Sequence, residues 1–289
     1  MAAVIEREQV VARPTGAALG ADIEGVDLAG PLSPEMVAAI KQAWGEHLVL
    51  RFRRQRLSDD DLMRFSRHFG ELDWAPIAAT NDAPEGREYI MVVSNVVEDG
   101  KAIGQLGAYE AIWHTDMSYV QEPPSASALY ALEVPPEGGD TGFCNMYRAY
   151  ETLPEELRRQ IPRLLCRHDA SRNSAGELRR GYVDAPDPSQ TVGADHPIVR
   201  THPVTGRPAL FLGRRRNAYV PGLSLADSEA LLDALWAHAT KDEFTWYQQW
   251  RAGDLILWDN RCVMHRRDAF DPETRRVMHR TQIKGNRPH

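Results

Sequence analysis

Cysteine is scarce in this chain: only Cys144, Cys166 and Cys262 occur in 289 residues. Three thiols so far apart make neither a disulfide framework nor a zinc ribbon, and fit free thiols in a reducing compartment. Long apolar runs are missing as well. None approaches the roughly 18 residues of a membrane span, and the opening stretch from Met1 to Glu8 has no signal-peptide apolar region. A basic excess is also absent. Lys and Arg number 34 against 41 Asp and Glu, a net charge of -7, so the electrostatic footprint of a nucleic-acid binder is lacking. No internal repeat, low-complexity tract or composition break divides the chain. These absences leave a soluble, cytoplasmic protein that binds neither membrane nor nucleic acid. It is read as one domain, 1–289, because all-β and mixed domains of this length are often single.

What is present reads mainly as short strands with a few capped helices. The segment 14–28 alternates apolar and polar residues between glycines, as short strands and turns do. Ser33-Pro34-Glu35 opens a helix, with Ser as cap and Pro at the first helical position. Ser58-x-x-Asp61 opens a second, which ends near Gly70. Strands are expected at Leu48–Phe52, Tyr89–Ser94, Ala128–Val134, Asp254–Asp259 and Arg276–Ile283. A hairpin is expected over Val199–Leu212 with its turn at Thr205-Gly206, a helical pair from Met146 to about Leu165 broken at Pro154, and a helix over Ser224–Thr240. Residues 167–197, polar and rich in turn formers, read as a mobile excursion outside the core. Strands with helices at the edges predict a β-sandwich or jelly roll under α-helical cover.

The chemistry centres on Trp113-His114-Thr115-Asp116. On an extended segment, His114 and Asp116 project to the same side. A second histidine from far along the chain, His265, completes a two-histidine, one-carboxylate face with open positions. That donor set suits non-haem Fe(II). In the last predicted strand Arg276, Met278 and Arg280 share a face, the two guanidinium groups about 13 Å apart along it. Such cations are costly inside an apolar strand unless they meet anions, so at least one carboxylate ligand is implied.

In order along the chain stand Gly20-Ala21-x-Ile23-x-Gly25-Val26-Asp27-Leu28, Trp113-His114-Thr115-Asp116 and Gly138-Gly139-Asp140-Thr141. They are followed by Thr201-His202-Pro203-Val204-Thr205-Gly206, Trp258-Asp259-Asn260-Arg261 and Arg275-Arg276-x-Met278-His279-Arg280. The joint set resembles the TauD/TfdA family of Fe(II)- and 2-oxoglutarate-dependent dioxygenases over most of the chain. The resemblance implies a mainly β fold with flanking α, built on a double-stranded β-helix (jelly roll, cupin-like) core. It implies His114, Asp116 and His265 as iron ligands, with Thr141 and Arg276 on the 2-oxoglutarate carboxylate. Arg280 would lie near the cosubstrate C1 carboxylate and the substrate's anionic group. The implied reaction takes O2, converts 2-oxoglutarate to succinate and CO2, and hydroxylates, desaturates or oxidatively cleaves a small organic acid. Asp116 argues against the halogenating branch, where that carboxylate is lost. The family often forms homo-oligomers.

Glu110 stands where taurine-specific members carry an amide, and Trp74-Ala75-Pro76 offers no sulfonate-binding histidine. Both argue against taurine and for a small organic acid, amino-bearing or aromatic, anchored by Arg280 with Glu110 nearby. A zinc hydrolase using the same three ligands is the alternative from another class, but it has no need of Arg276. A catalytically silent ligand-binding homologue would require a broken triad. Blander roles are expected elsewhere. His279 is structural, His202 belongs to a turn, and Trp113 and Trp258 are core aromatics. Arg214-Arg215-Arg216 reads as a solvated charge run, although the resemblance places substrate-lid residues in that loop, and Asn260 and Arg261 read as braces of the loop ahead of His265.

Overall fold

A computed structural model describes residues 10–75, 88–109 and 111–289. Glu110 and Pro76, both singled out above, lie outside the described residues. Two β-sheets dominate. The larger, of nine strands among the described residues, runs in the order Val11–Pro14, Ala21–Glu24, Val49–Phe52, Leu255–Asp259, Ala126–Glu133, Val277–Ile283, Met91–Ser94, Gln105–Leu106; Leu72–Asp73 pairs beside Val277–Ile283. The smaller runs Thr245–Gln248, Thr141–Asn145, Val263–Arg267, Ala111–His114. This is the jelly-roll architecture expected from the sequence.

Both faces of the large sheet are buried, and the period of two sorts its side chains. Ala126, Ala128, Tyr130, Leu255, Leu257 and Ile283 pack with the helices Pro34–His47 and Asp59–Arg67. Their alternates Leu129, Ile256, Trp258 and Met278 face the small sheet and its Phe143. Both helices begin as their sequences predict. The Ser33 hydroxyl accepts from the Met36 amide, and Ser58 and Asp61 cap one another reciprocally. His279, on the helix side of its strand, bonds Asp59, so it is structural as expected.

The Met146–Glu151 and Glu155–Gln160 helices flank Pro154, and Leu225–Ala239 forms the last long helix. Val199–Thr201 pairs with Pro208–Leu210 in the predicted hairpin. His202 is more than a turn residue: it is 2% exposed. Its Nδ1 accepts the amides of Val204 and Thr205, so the proton sits on Nε2, which donates to Asp259 Oδ2 at 3.1 Å. Asp259 also accepts from Arg261 through Nε (2.8 Å) and Nη2 (2.7 Å), which confirms Arg261 as a brace.

Burial works to raise the Asp259 pKa, but Arg261 and His202 outweigh it and hold the carboxyl below the usual range. A depressed folded-state pKa stabilises fully above the unfolded value of about 3.9, and that stabilisation is lost as pH falls below it. Urea midpoints measured downward from neutral pH are therefore expected to drop through the carboxylate range. Asp259→Asn should show a shallower acid decline, starting from a stability about 1–3 kcal/mol lower at pH 7. Parallel declines in the two proteins would assign the acid sensitivity to other groups.

Two expectations are corrected. Residues 167–197 are not wholly an excursion outside the core: both ends are built into it, while 175–190 holds no buried residue. Leu165–Arg167 pairs with Asp195–Pro197, Arg167 binds Asp195 bidentately (2.8 and 3.1 Å), and His168, Asp169, Ser171, Ser174, Thr191 and His196 are buried. Polar composition misled because several of these polar groups bond one another, as Asp169 does with the Ser171 amide and hydroxyl. Nor is Arg214-Arg215-Arg216 a solvated run. Arg214 is buried with Nη1 donating to the carbonyls of Arg172 and Asn173, and Arg215 pairs with Glu229 and Asp233. Only Arg216 is exposed.

Candidate active site

The two sheets bring His114, Thr141, His265, Arg276 and Arg280 to one cavity, with Asp116 at its mouth. His114 and His265 are directly opposite one another in neighbouring strands of the small sheet, their ring centroids 4.2 Å apart. Asp116 reaches them differently from the sequence expectation. The strand ends at His114, so period-two alternation does not place Asp116. A turn does, with the Thr115 amide bonded to the Gly213 carbonyl and Met117 at φ 44. Asp116 Oδ1 then lies 3.9 Å from His114 Nε2 and 3.8 Å from His265 Nε2.

This arrangement has the character of a cation's donor set. His114 Nδ1 is 2.7 Å from the Ile112 carbonyl, which requires its proton there and leaves the Nε2 lone pair facing the carboxylate. The His265 Nδ1 is buried with no hydrogen-bond partner among the described residues. Burial pushes the pKa of both imidazoles down against the pull of the Asp116 carboxylate, with His265 adding to the lowering at His114 and Arg280 at His265, so both are neutral. Burial also works against ionisation of Asp116, but the Arg280 guanidinium, helped by the hydrogen bond from Ser127, overcomes it and keeps the carboxyl below the usual range. Two neutral nitrogens and an ionised oxygen, all within 4.8 Å of one another, fit a divalent metal.

A relay unseen in the sequence fixes the carboxylate. Trp258 Nε1 donates to Asn260 Oδ1 (2.8 Å), Asn260 Nδ2 to Ser127 Oγ (3.0 Å), and Ser127 Oγ to Asp116 Oδ2 (2.7 Å). Each direction is forced, because an indole nitrogen only donates and a carboxylate only accepts. Arg280 Nη1 holds the other oxygen at 3.0 Å, and Arg280 Nη2 lies 3.0 Å from Met91 Sδ. Asn260 thus braces the Asp116 carboxylate as well as its own loop. Trp258 is a core aromatic, and its ring lies 4.9 Å from that of His265. A second trio, His202, Asp259 and Cys262, lies equally close together. There the His202 Nε2 proton and the Arg261 fork already occupy the carboxylate.

Deeper in the cavity stand Thr141, Arg267 and Arg276. The Thr141 hydroxyl accepts from Trp250 Nε1 at 2.9 Å. Its turn needs both glycines: Gly138 and Gly139 have φ of 74 and 69, and a Cβ on Gly138 would sit 2.7 Å from the Ala269 carbonyl oxygen. Arg276 is 2% exposed, and burial followed by repulsion from Arg267 lowers its pKa to about 9. Among the described residues no carboxylate pairs with it, as expected of a guanidinium kept for a ligand. Arg267 was missed in the sequence, although two residues after His265 in a strand is a legible signal for the same face.

Toward solvent the cavity opens into a mouth of about 770 Å³. The segment 167–197 and the following loop supply Tyr119-facing Arg179, Arg180, Tyr182 and Arg214 to its wall. Arg280 lines both the inner cavity and this mouth. No helix among the described residues is long and apolar enough to cross a membrane.

The sequence matches the family model described as taurine catabolism dioxygenase TauD, TfdA family, over residues 12–282. The alpha-ketoglutarate-dependent 2,4-dichlorophenoxyacetate dioxygenase of Cupriavidus pinatubonensis is 38% identical, across 94% of this chain and 96% of its own length. Pentalenolactone F synthase of Streptomyces avermitilis is 32% identical, across 95% of this chain and 94% of its own. The crystal structure of AAD-2 in complex with Mn(II) and N-oxalylglycine superposes with a TM-score of 0.79 at 30% identity, covering 97% of this chain and 99% of that one. Matched from end to end by both sequence and fold, the chain belongs to the TauD/TfdA family and is an alpha-ketoglutarate (2-oxoglutarate)-dependent dioxygenase.

Proposed function

We propose that His114, Asp116 and His265 hold Fe(II), that Thr141 and Arg276 receive the distal carboxylate of 2-oxoglutarate, and that the enzyme oxidises a small organic acid, normally by hydroxylation. The observation that carries this reading is the pairing of two features in one cavity. Three metal-directed donor atoms converge beside a buried guanidinium that has no carboxylate of its own among the described residues. When bound, the metal and 2-oxoglutarate supply O2 activation, with succinate and CO2 as the co-products.

The chain's own residues prepare that chemistry. Ser127 and Arg280 fix the Asp116 carboxylate, so one oxygen faces the two imidazoles. Thr141 and Arg276 orient the keto acid by its far end, so that its chelating end meets the metal. Val93, Leu106, Leu129 and Trp258 give the inner cavity its apolar walls. The substrate's acid group is met at the mouth by Arg180 and Arg214, with Arg280 facing it from the inner side. Tyr119, Tyr182 and Met117 offer an apolar or aromatic body its contact surface. An aryl or alkyl acid fits this wall, as the name of the 2,4-dichlorophenoxyacetate dioxygenase specifies for that relative. Glu110, adjoining the Ala111–His114 strand, supports selection of an amino-bearing acid. Action as one domain in a reducing cytoplasm is part of the same reading, supported by three buried free cysteines.

Anaerobic titration of the protein with Fe(II) and then 2-oxoglutarate tests the reading. A weak visible metal-to-ligand charge-transfer band is expected, absent in His114→Ala. A missing band in the native protein, or an unchanged one in the variant, would sink it. Succinate formation across a panel of aryl, alkyl and amino acids then ranks substrates.

A further inference from the structure

Arg267 is the second cation of the inner cavity. It is 6% exposed and lies directly opposite Thr141 in the neighbouring strand, so both project from one face of the small sheet. That face also carries His265, two residues before it. Arg276 comes from the large sheet, and both guanidinium groups lie against one ring, their carbons 5.6 Å (Arg267) and 5.9 Å (Arg276) from the Phe270 centroid. Arg267 Nη2 donates to the carbonyls of Leu106 and Tyr109, and the Nε atoms of both arginines are buried without a partner. Among the described residues neither forms an ion pair. Burial lowers the pKa of Arg267 to about 10, and its charge adds to the lowering at Arg276.

Two guanidinium ions buried together with no carboxylate among the described residues repel one another, and each also bears the cost of leaving water. Carbonyl bonds orient Arg267 but do not neutralise it. An anion admitted to the cavity relieves both penalties at once. We propose that Arg267 is a second guanidinium receptor for the distal carboxylate of the keto-acid cosubstrate, acting with Thr141 beside it and Arg276 across the cavity. The proposal rests on the dioxygenase site described above. It assigns to this chain's own pair of arginines the selection of a dicarboxylate keto acid over a monocarboxylate one. It also joins the cosubstrate to the loop ahead of His114, because the same guanidinium holds the Leu106 and Tyr109 carbonyls. Leu106 sits there at φ 73, a left-handed conformation that a non-glycine residue holds only when its surroundings enforce it.

The test uses full-length protein loaded with Mn(II), so that no turnover occurs, and measures keto-acid dissociation constants by calorimetry and melting-temperature shift. The ligands are 2-oxoglutarate and 2-oxopentanoate, which keeps the chelating end and replaces the distal carboxylate with a methyl group. Arg267→Gln keeps amide donors for the loop carbonyls and removes the charge. It is expected to weaken 2-oxoglutarate about 10- to 100-fold and 2-oxopentanoate by less than about threefold. Arg267→Lys restores the charge without the fork, and is expected to weaken 2-oxoglutarate alone by about three- to tenfold, which gives the answer even if the Gln variant does not fold. Unchanged 2-oxoglutarate affinity, or equal losses for both keto acids, would make Arg267 a prop for the loop and overturn the proposal. A native protein that binds neither keto acid in the presence of Mn(II) would instead overturn the assignment of the site itself.

Discussion

Asp116→Ala is expected to lose the metal and part of the fold together. The carboxylate has two employments. One oxygen faces His114 and His265, and the same oxygen accepts the Arg280 guanidinium at 3.0 Å. Changing groups that merely orient a metal ligand costs about 10- to 100-fold in affinity, so loss of the ligand itself should exceed about 100-fold. Arg280, 8% exposed, would then be left buried and unpaired, which destabilises the metal-free protein by about 3–5 kcal/mol. Metal titration and urea denaturation of the metal-free variant measure the two effects separately. Weak metal binding with native stability would show that Arg280 does not depend on Asp116.

Arg276→Leu should move stability the other way. Arg276 is more deeply buried and has no carboxylate partner among the described residues, so the metal-free, ligand-free protein carries its desolvation cost. Leucine removes that cost and fills part of the space. The variant is expected to be more stable than the native chain by about 1–3 kcal/mol. Its 2-oxoglutarate affinity should fall by about 100-fold or more, the worth of a charged, forked contact, with Fe(II) affinity unchanged. A destabilised Arg276→Leu protein would mean that the guanidinium serves the fold before it serves a ligand. The opposite signs of the two variants separate an arginine held by an internal carboxylate from one held in reserve for a cosubstrate.

Much of this was legible before any coordinates. The strands Leu255–Asp259 and Val277–Ile283 announce themselves as apolar runs, and Ser33 and Ser58 mark helix starts through cap chemistry that is local. His114, His265, Thr141 and Arg276 were singled out from motif order and do converge on one cavity. The errors share a cause. Arg214 and the segment 167–197 look solvated by composition, and whether a polar group is buried depends on partners that composition does not name. Arg214 finds the carbonyls of Arg172 and Asn173, about forty residues away in the chain. Asp116 is expected on an extended strand, but the strand ends at His114, two residues before it, and Asp116 stands in the turn that follows.

The sequence alone determined the reaction class of this protein. Metal donors, a carboxylate-binding arginine and the order of their motifs are chemical identities, and these are written in residue types. Tertiary structure decided the pairings: which oxygen of Asp116 faces the imidazoles, which arginine is neutralised and which is not, and that Ser127, Asn260 and Arg267 belong to the site. Those outcomes depend on two sheets meeting face to face. Contacts across that gap join residues such as Arg280 of the large sheet and Asp116, just past a strand of the small one, 164 positions apart, and pairing at that separation is set by the packing of whole strands, which no local pattern records.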